Sequence, residues 1–189
     1  MKFLKKTGHQ LTTALLVVVV LFAIACTKEE PDKIEAVKDR KTLPGLSSTK
    51  ITTVISDSGI TRYRIYTDKW DIYDKATEPY WEFSKGLHFE RFAENLSVNA
   101  TFNSKYARYY ERKRLWEFKG KVKAINLEGV MFETEILYWD EASDRIYSDK
   151  FIRVTRPTMI INGVGFEANQ SLTKWRILNP QGPIYVDEK

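Results

Sequence analysis

Few residues of this 189-residue chain have the types and spacing that catalysis or metal binding requires. The chain holds one cysteine, Cys26, and two histidines, His9 and His88. A Ser-His-Asp or Cys-His arrangement beyond the first residues would depend on His88, which lies in the strand-like segment Leu87-His88-Phe89. Zinc sites rich in His and Cys need several such ligands. The residue counts therefore favour neither nucleophilic catalysis nor a His/Cys metal centre.

Two further patterns could carry chemistry, and both have simpler explanations. Glu133 and Glu135 alternate along one predicted strand and share a face. Paired carboxylates can serve acid–base catalysis, but on an exposed strand face they are usually just solvated. The segment Lys119-Gly120-Lys121-Val122 lacks the upstream glycine and the hydroxyl of a phosphate-binding loop. We therefore expect a binding or structural protein without a cofactor, not an enzyme.

The chemistry of Cys26 depends on its position after a targeting segment. Three lysines among the first six residues precede an apolar run, 14–26, which is shorter than the roughly 20 residues of a spanning helix. This layout is typical of a signal peptide. Ala25-Cys26 resembles a bacterial lipobox, so we predict a signal peptide or anchor over 1–25 and a lipid on Cys26. The alternative is a short, uncleaved spanning anchor in which Cys26 is incidental.

Charge and composition place a tether after the cysteine. Residues 26–46 are polar, contain prolines and lack periodicity, which is typical of a linker; only Asp32 to Arg40 has a weak helical pattern. The chain carries 30 basic and 25 acidic residues, and three of the basic ones lie in the leader. The remainder is close to neutral, which argues against nucleic-acid binding.

The elements that follow are predicted to be strands, which assigns 47–189 to one all-β domain. Polar and apolar residues alternate along Thr61–Thr67 and Lys121–Ala124, and turn-forming clusters separate the runs at hairpin spacing. Arg145 to Thr155 is predicted to form a further strand pair, and Asn162-Gly163 a turn. Three strand–turn–strand segments recur at roughly 28 to 30 residues, beginning near Tyr106, Thr134 and Val164.

The order of these motifs resembles a known family. The segments that carry the resemblance are Gly59–Ile65, Trp70–Tyr73, Leu115–Val122, Thr134–Asp140, Ile146–Asp149 and Asn162–Ala168. They are similar to LptC, the membrane-anchored periplasmic component of the lipopolysaccharide export machine. The resemblance implies an open β-jellyroll, an antiparallel sheet folded into a V around an apolar groove. It also implies passage of lipopolysaccharide from an inner-membrane ATP-driven transporter to a periplasmic bridge protein of the same fold.

Alternation suggests which side chains line that groove, although an ordinary closed core would use the same residues. The predicted groove residues are Phe83, Phe89, Val122, Ala124, Phe132, Ile152 and Val154. Both faces of the segment from Thr134 to Trp139 are apolar, so its inward face stays unassigned. Gly163 and Gly165 match a glycine-containing turn of the family, which is either a docking feature or a plain hairpin turn. A basic cluster between Arg108 and Lys123 either meets lipid phosphates or forms a solvated outer face.

The resulting expectation is a lipopolysaccharide-binding and transfer protein, lipid-anchored at the periplasmic face of the inner membrane. The alternative is a structural or interaction lipoprotein of the outer membrane or surface that has no lipid groove. Lys28-Glu29-Glu30, just after Cys26, resembles a surface-targeting tag and keeps that alternative open. The soluble bridge protein itself is disfavoured by the anchor.

Overall fold

Eleven antiparallel strands form one sheet. The computed structural model of the protein describes the backbone of residues 41–186 and the side chains of residues 41–182, and no helix lies within that range. Accordingly, no described helix has the length and apolar character needed to cross a bilayer. The strands are β1 Leu46–Asp57, β2 Ile60–Tyr73, β3 Tyr80–Phe83, β4 Leu87–Phe92, β5 Val98–Ser104, β6 Tyr106–Tyr110, β7 Leu115–Asn126, β8 Met131–Asp140, β9 Arg145–Arg156, β10 Met159–Asn169 and β11 Trp175–Val186.

Strands β7 to β11 form a meander, whereas β2 to β7 are connected less simply. One edge of β2 pairs with β1; the other pairs first with β4 and then with β3. One edge of β7 likewise pairs with β5 and β6 and the other with β8. Strands β3–β4 and β5–β6 therefore act as a single long hairpin with a bend in the middle of each arm.

A line of irregular pairing crosses the sheet and marks where it bends. The register shifts between Lys119 and Val122 in β7, between Thr134 and Tyr138 in β8, and between Val164 and Phe166 in β10. Such bulges increase local twist and bend a strand. Gly120 and Gly165 adopt φ of 75° and 80° on this line, a conformation that glycine tolerates without a side-chain clash. We call this line the crease.

The crease divides the sheet into two halves that pack on each other. Half-sheet I holds β3, β6, the end of β2, the first parts of β7, β9 and β11, and the last parts of β8 and β10. Half-sheet II holds β4, β5 and the remaining parts of those strands. Phe102 of half-sheet II stacks on Phe118 and Trp139 of half-sheet I at centroid distances of 5.2 and 5.9 Å. This folded sheet confirms the predicted all-β jellyroll; among the described strands, β1 and β11 have one partner each.

Side-chain hydroxyls at the crease replace hydrogen bonds that the ladder loses there. The Thr134 hydroxyl donates to the carbonyl oxygen of Phe151 at 2.8 Å, and that of Ser148 to the carbonyl oxygen of Ile136 at 2.7 Å. Thr67 donates to the carbonyl oxygen of Gly86 at 2.7 Å. Since an unpaired buried carbonyl costs about 1–3 kcal/mol, these hydroxyls stabilise the bend.

Three details of the predicted strand order need correction or explanation. Arg145 to Thr155 is not a strand pair but most of one strand, β9. The predicted turn at Asn162-Gly163 is wrong, because β10 runs through both residues. The recurring segments are the three successive hairpins β6–β7, β8–β9 and β10–β11, whose turns all lie at the free margin of half-sheet I. The weak helical pattern over Asp32 to Arg40 lies outside the described residues.

Candidate functional site

The predicted groove residues all point into the space between the half-sheets. Each is at most 1% exposed, so the predicted alternation selects side chains of one face. Phe83 comes from half-sheet I and Val122 lies at the crease; the other five lie on half-sheet II. They are Phe89, Ala124, Phe132, Ile152 and Val154. The interior that they line is filled by protein side chains.

Aromatic rings fill much of this interior. Phe89 lies near its centre, with ring centroids 5.0 Å from Trp116, 5.7 Å from Trp139 and 5.1 Å from Tyr63. A second group surrounds Phe132, which contacts Phe166 at 5.1 Å. Edge-to-face and offset arrangements of this kind add to the stability gained by burial alone.

Sequence reasoning missed the half of the interior that half-sheet I provides. Thr134, Leu137 and Trp139 all face inward, so the inward positions of β8 change from even to odd numbers across the bulge. This change explains why both faces of the segment look apolar in the sequence. The unpredicted interior residues of half-sheet I include Trp116, Phe118, Leu137, Trp139, Ile146 and Phe166.

Opposite the crease the two half-sheets meet along their turns. We call the turns of half-sheet I lip I and those of half-sheet II lip II. Leu172 of lip I is fully buried, and its carbonyl oxygen accepts a hydrogen bond of 3.0 Å from the side chain of Asn126, the last residue of β7 before lip II. Lip I comprises 74–79, 111–114, 141–144 and 170–174, and lip II comprises 58–59, 93–97, 127–130 and 157–158.

A cavity of about 550 Å³ lies between the lips. Its apolar lining consists mainly of aromatic side chains, and charged side chains of both signs surround it. The volume falls within the range of sites for small ligands. The apolar lining is Ile55, Tyr63, Trp81, Phe92, Tyr109 and Trp116, and the charged residues are Asp57, Arg62, Arg91, Arg114, Glu141 and Asp144.

Glu141 is the best-connected charge of this cavity. Its side chain is only 8% exposed. It accepts hydrogen bonds from Trp116 Nε1 at 2.9 Å and from the Tyr109 hydroxyl at 3.4 Å, and pairs with Arg114 Nε at 3.6 Å. Burial, together with the charge of Glu141, raises the pKa of Tyr109 to about 12. Burial and the charge of Glu141 also raise the pKa of Tyr63, a residue of half-sheet II. Glu141 therefore acts on both sides of the cavity.

Most of the predicted basic cluster is neutralised by neighbouring carboxylates. The shortest pair joins Arg108 to Glu82 at 2.8 Å, and Arg112 donates to the Thr77 carbonyl oxygen at 3.1 Å. Four further pairs of this cluster are Lys113–Glu78, Arg114–Glu141, Lys119–Glu117 and Lys123–Glu133. These contacts support the interpretation of a solvated outer face.

The two predicted turn glycines occupy different environments within β10. A Cβ on Gly163 would overlap the side chain of Ile177 and approach the carbonyl oxygen of Asn179 to 2.6 Å. Gly165 lies at the crease with its positive φ. Neither glycine forms a turn; Gly163 permits close approach of β11, and Gly165 permits the bend.

The remaining residues with chemical potential lie apart from the interior. His88 is part-buried and its Nδ1 lies 2.7 Å from Asn103 Oδ1. Glu133 pairs with Lys123 at 3.6 Å, and Glu135 accepts from the backbone N–H of Lys121 at 3.5 Å. No cluster of three or more potential metal ligands occurs within the described range. Cys26 lies outside the described residues.

The family comparison agrees with this architecture. The model of the family described as "Lipopolysaccharide-assembly, LptC-related" matches residues 11–180, which is most of the chain and nearly all of the described sheet. No curated protein matches the chain.

Proposed function

The chain belongs to the LptC family of lipopolysaccharide-assembly proteins, and from this premise we propose that it binds lipopolysaccharide and transfers it along its interior. The observation that carries the proposal is the buried cluster of apolar side chains between the half-sheets, which includes Phe83, Phe89 and Val154. An acyl chain of about a dozen carbons costs on the order of 10 kcal/mol to expose to water, so transfer needs such shelter. Outward positions of the same strands include the charged side chains of Glu90 and Arg153, which disfavours lipid on that face.

The experiment compares neighbouring positions of one strand. Photo-crosslinking residues at Val122 and Ala124, which face inward, are expected to form lipopolysaccharide adducts in living cells. The matched controls are Lys121 and Lys123, which flank them on the outer face and are expected to give none. Phe83 and Ile152 extend the test to β3 and β9. Absence of adducts at all inward positions, with normal expression, would refute the proposal.

A second candidate is favoured by the complete packing of the interior. A jellyroll whose inward residues are fully buried is also what a structural or interaction lipoprotein without a groove would have. The crosslinking experiment separates the two, because a permanently closed core yields no adducts at any inward position.

The transfer role further requires partners at both ends of the jellyroll. The outer edges of β1 and β11 are the two ends of the described sheet. An unpaired edge can accept a strand from another chain. We propose that one end receives lipopolysaccharide from the inner-membrane transporter and that the other docks a periplasmic bridge protein of similar fold.

Anchoring completes the proposal. LptC proteins are associated with the periplasmic side of the inner membrane, and we propose that lipid on Cys26 holds this chain there while 26–46 serve as the tether. Stable anchoring generally takes two acyl chains. A Cys26→Ser variant should lose incorporation of labelled fatty acid and accumulate as unprocessed precursor. A variant of unchanged mobility and membrane association would instead favour a spanning anchor.

A further inference from the structure

Strand β4 places an arginine on the face that otherwise forms the apolar interior. Leu87 and Phe89 alternate with outward residues and are 4% and 0% exposed. Arg91 is the next residue of that series and is only part-exposed. It lies directly opposite Tyr63 in the β2–β4 register, and both residues line the cavity between the lips. The Arg91 side chain therefore lies where the apolar interior reaches the cavity.

This arginine has no close counter-ion within the described part of the chain. The neighbouring ion pairs do not include Arg91, because Glu141 pairs with Arg114 and Glu90 pairs with Arg64. Asp144 and Glu141 act on Arg91 only at longer range, and Arg62 repels it. Burial lowers the pKa of Arg91 accordingly. A partly desolvated guanidinium without a partner is costly unless an anion completes its hydrogen bonds.

We propose that Arg91 binds a phosphate group on the lipid portion of lipopolysaccharide, at the cavity between the lips. The guanidinium fork suits phosphate oxygens, which it can contact through two parallel hydrogen bonds. Arg62 lines the same cavity and adds a second positive charge. The aromatic lining, including Trp81 and Trp116, is suited to the sugar and to the first carbons of the acyl chains. This inference rests on the proposed function and assigns the headgroup a position within it.

The carboxylates of the cavity limit where the phosphate can lie. Glu141 is already engaged by Trp116, Tyr109 and Arg114. Asp57 and Asp144 also line the cavity and would repel a second anion. Binding of the phosphate therefore depends on the combined positive charge of Arg62 and Arg91, because Asp144 also acts on Arg91. The outer basic cluster is a weaker candidate because carboxylates pair with most of its members.

The test measures binding of two lipids that differ only in phosphate. The full chain in detergent is titrated with diphosphoryl lipid A and with the same lipid after removal of both phosphates. Wild-type protein is expected to prefer the phosphorylated lipid by about tenfold or more, as one charge-assisted hydrogen-bonding site would give. Arg91→Gln should abolish most of that preference, and Arg91→Lys should restore part of it. Arg153→Gln, on the exposed part of β9, is the matched control and should leave the preference unchanged.

Each outcome has a distinct meaning. Equal weakening of both lipids by Arg91→Gln, or no weakening of either, would overturn the phosphate site while leaving lipid binding intact. Binding of neither lipid by the wild type would refute the proposed function itself. Binding of inorganic phosphate that depends on Arg91, with no preference of the wild type for the phosphorylated lipid, would reassign the site to free phosphate and overturn the lipid assignment.

Discussion

At the scale of single residues, the cavity between the lips is controlled by one buried carboxylate. Glu141 has donors from β6, β7 and the turn that joins them, and these three donors balance its charge. Hydrogen bonds to a charged group contribute more than neutral ones, about 1.5–3 kcal/mol each. The Glu141 network therefore holds the aromatic lining of half-sheet I in place.

The tyrosines beside Glu141 give stability a dependence on alkaline pH. The folded-state pKa of Tyr109 is about 12, against an ordinary value of 10.0. A raised pKa means that the contribution is complete below pH 10 and is lost as the pH rises toward 12, because the unfolded chain ionises first. The free energy of unfolding should thus fall over this window in urea titrations. The free energy of unfolding of a Tyr109→Phe variant should fall less steeply with pH than that of the wild type. Equal slopes would contradict the raised pKa of Tyr109.

Alternation predicts the inward residues of a strand only if they keep the same numbering, odd or even, on both sides of the crease. In β7, Val122 and Ala124 are inward at even positions, as are Trp116 and Phe118 before the bulge. Simple alternation therefore selects correct residues there. In β8 the bulge reverses the parity, and local sequence gives no sign of where that happens. Arg91 was missed for a different reason: its unpaired state depends on residues distant in sequence.

At the scale of elements, β10 shows how a glycine sets the spacing between strands. Gly163 lies between Ile152 of β9 and Pro180 of β11 in the paired registers. The approach of the Asn179 carbonyl leaves no room for a Cβ. The sequence predicts a turn here because glycine is common where the chain reverses. In the structure Gly163 is needed instead for the close packing of β11.

Substitution of Gly163 should destabilise the sheet by steric overlap. Gly163→Ala is expected to cost about 1–3 kcal/mol, as overpacking does, and Gly163→Arg considerably more. Gly129→Ala is the matched control, since its Cβ would meet no atom within 4 Å although its φ is 76°. The control should be destabilised only by the left-handed conformation at residue 129, by roughly 1–2 kcal/mol. Urea unfolding measures both; a Gly163→Ala variant as stable as the wild type would show that β11 moves aside at no cost.

At the scale of the whole molecule, the interior must open before it can hold a lipid with several acyl chains. Its inward side chains are fully buried, and the cavity of about 550 Å³ suits one small ligand. The half-sheets are joined covalently and by backbone pairing through the crease. At the lips, the hydrogen bond from Asn126 to the buried Leu172 is one contact between the half-sheets. Separation of the lips about the crease is therefore the motion that we expect during loading.

Weakening the contact between the lips should accelerate lipid uptake. Asn126→Asp retains the oxygen that accepts from the N–H of Val130 but replaces the amide donor that reaches the carbonyl oxygen of Leu172. We expect lower stability, by about 1–3 kcal/mol, and a severalfold faster association with lipopolysaccharide, measured by tryptophan fluorescence in stopped flow. Asn169→Asp is the control, because the oxygen that accepts from Thr173 and Lys174 within lip I is kept. Loss of stability in Asn126→Asp without faster uptake would mean that lipid enters from an end of the jellyroll instead.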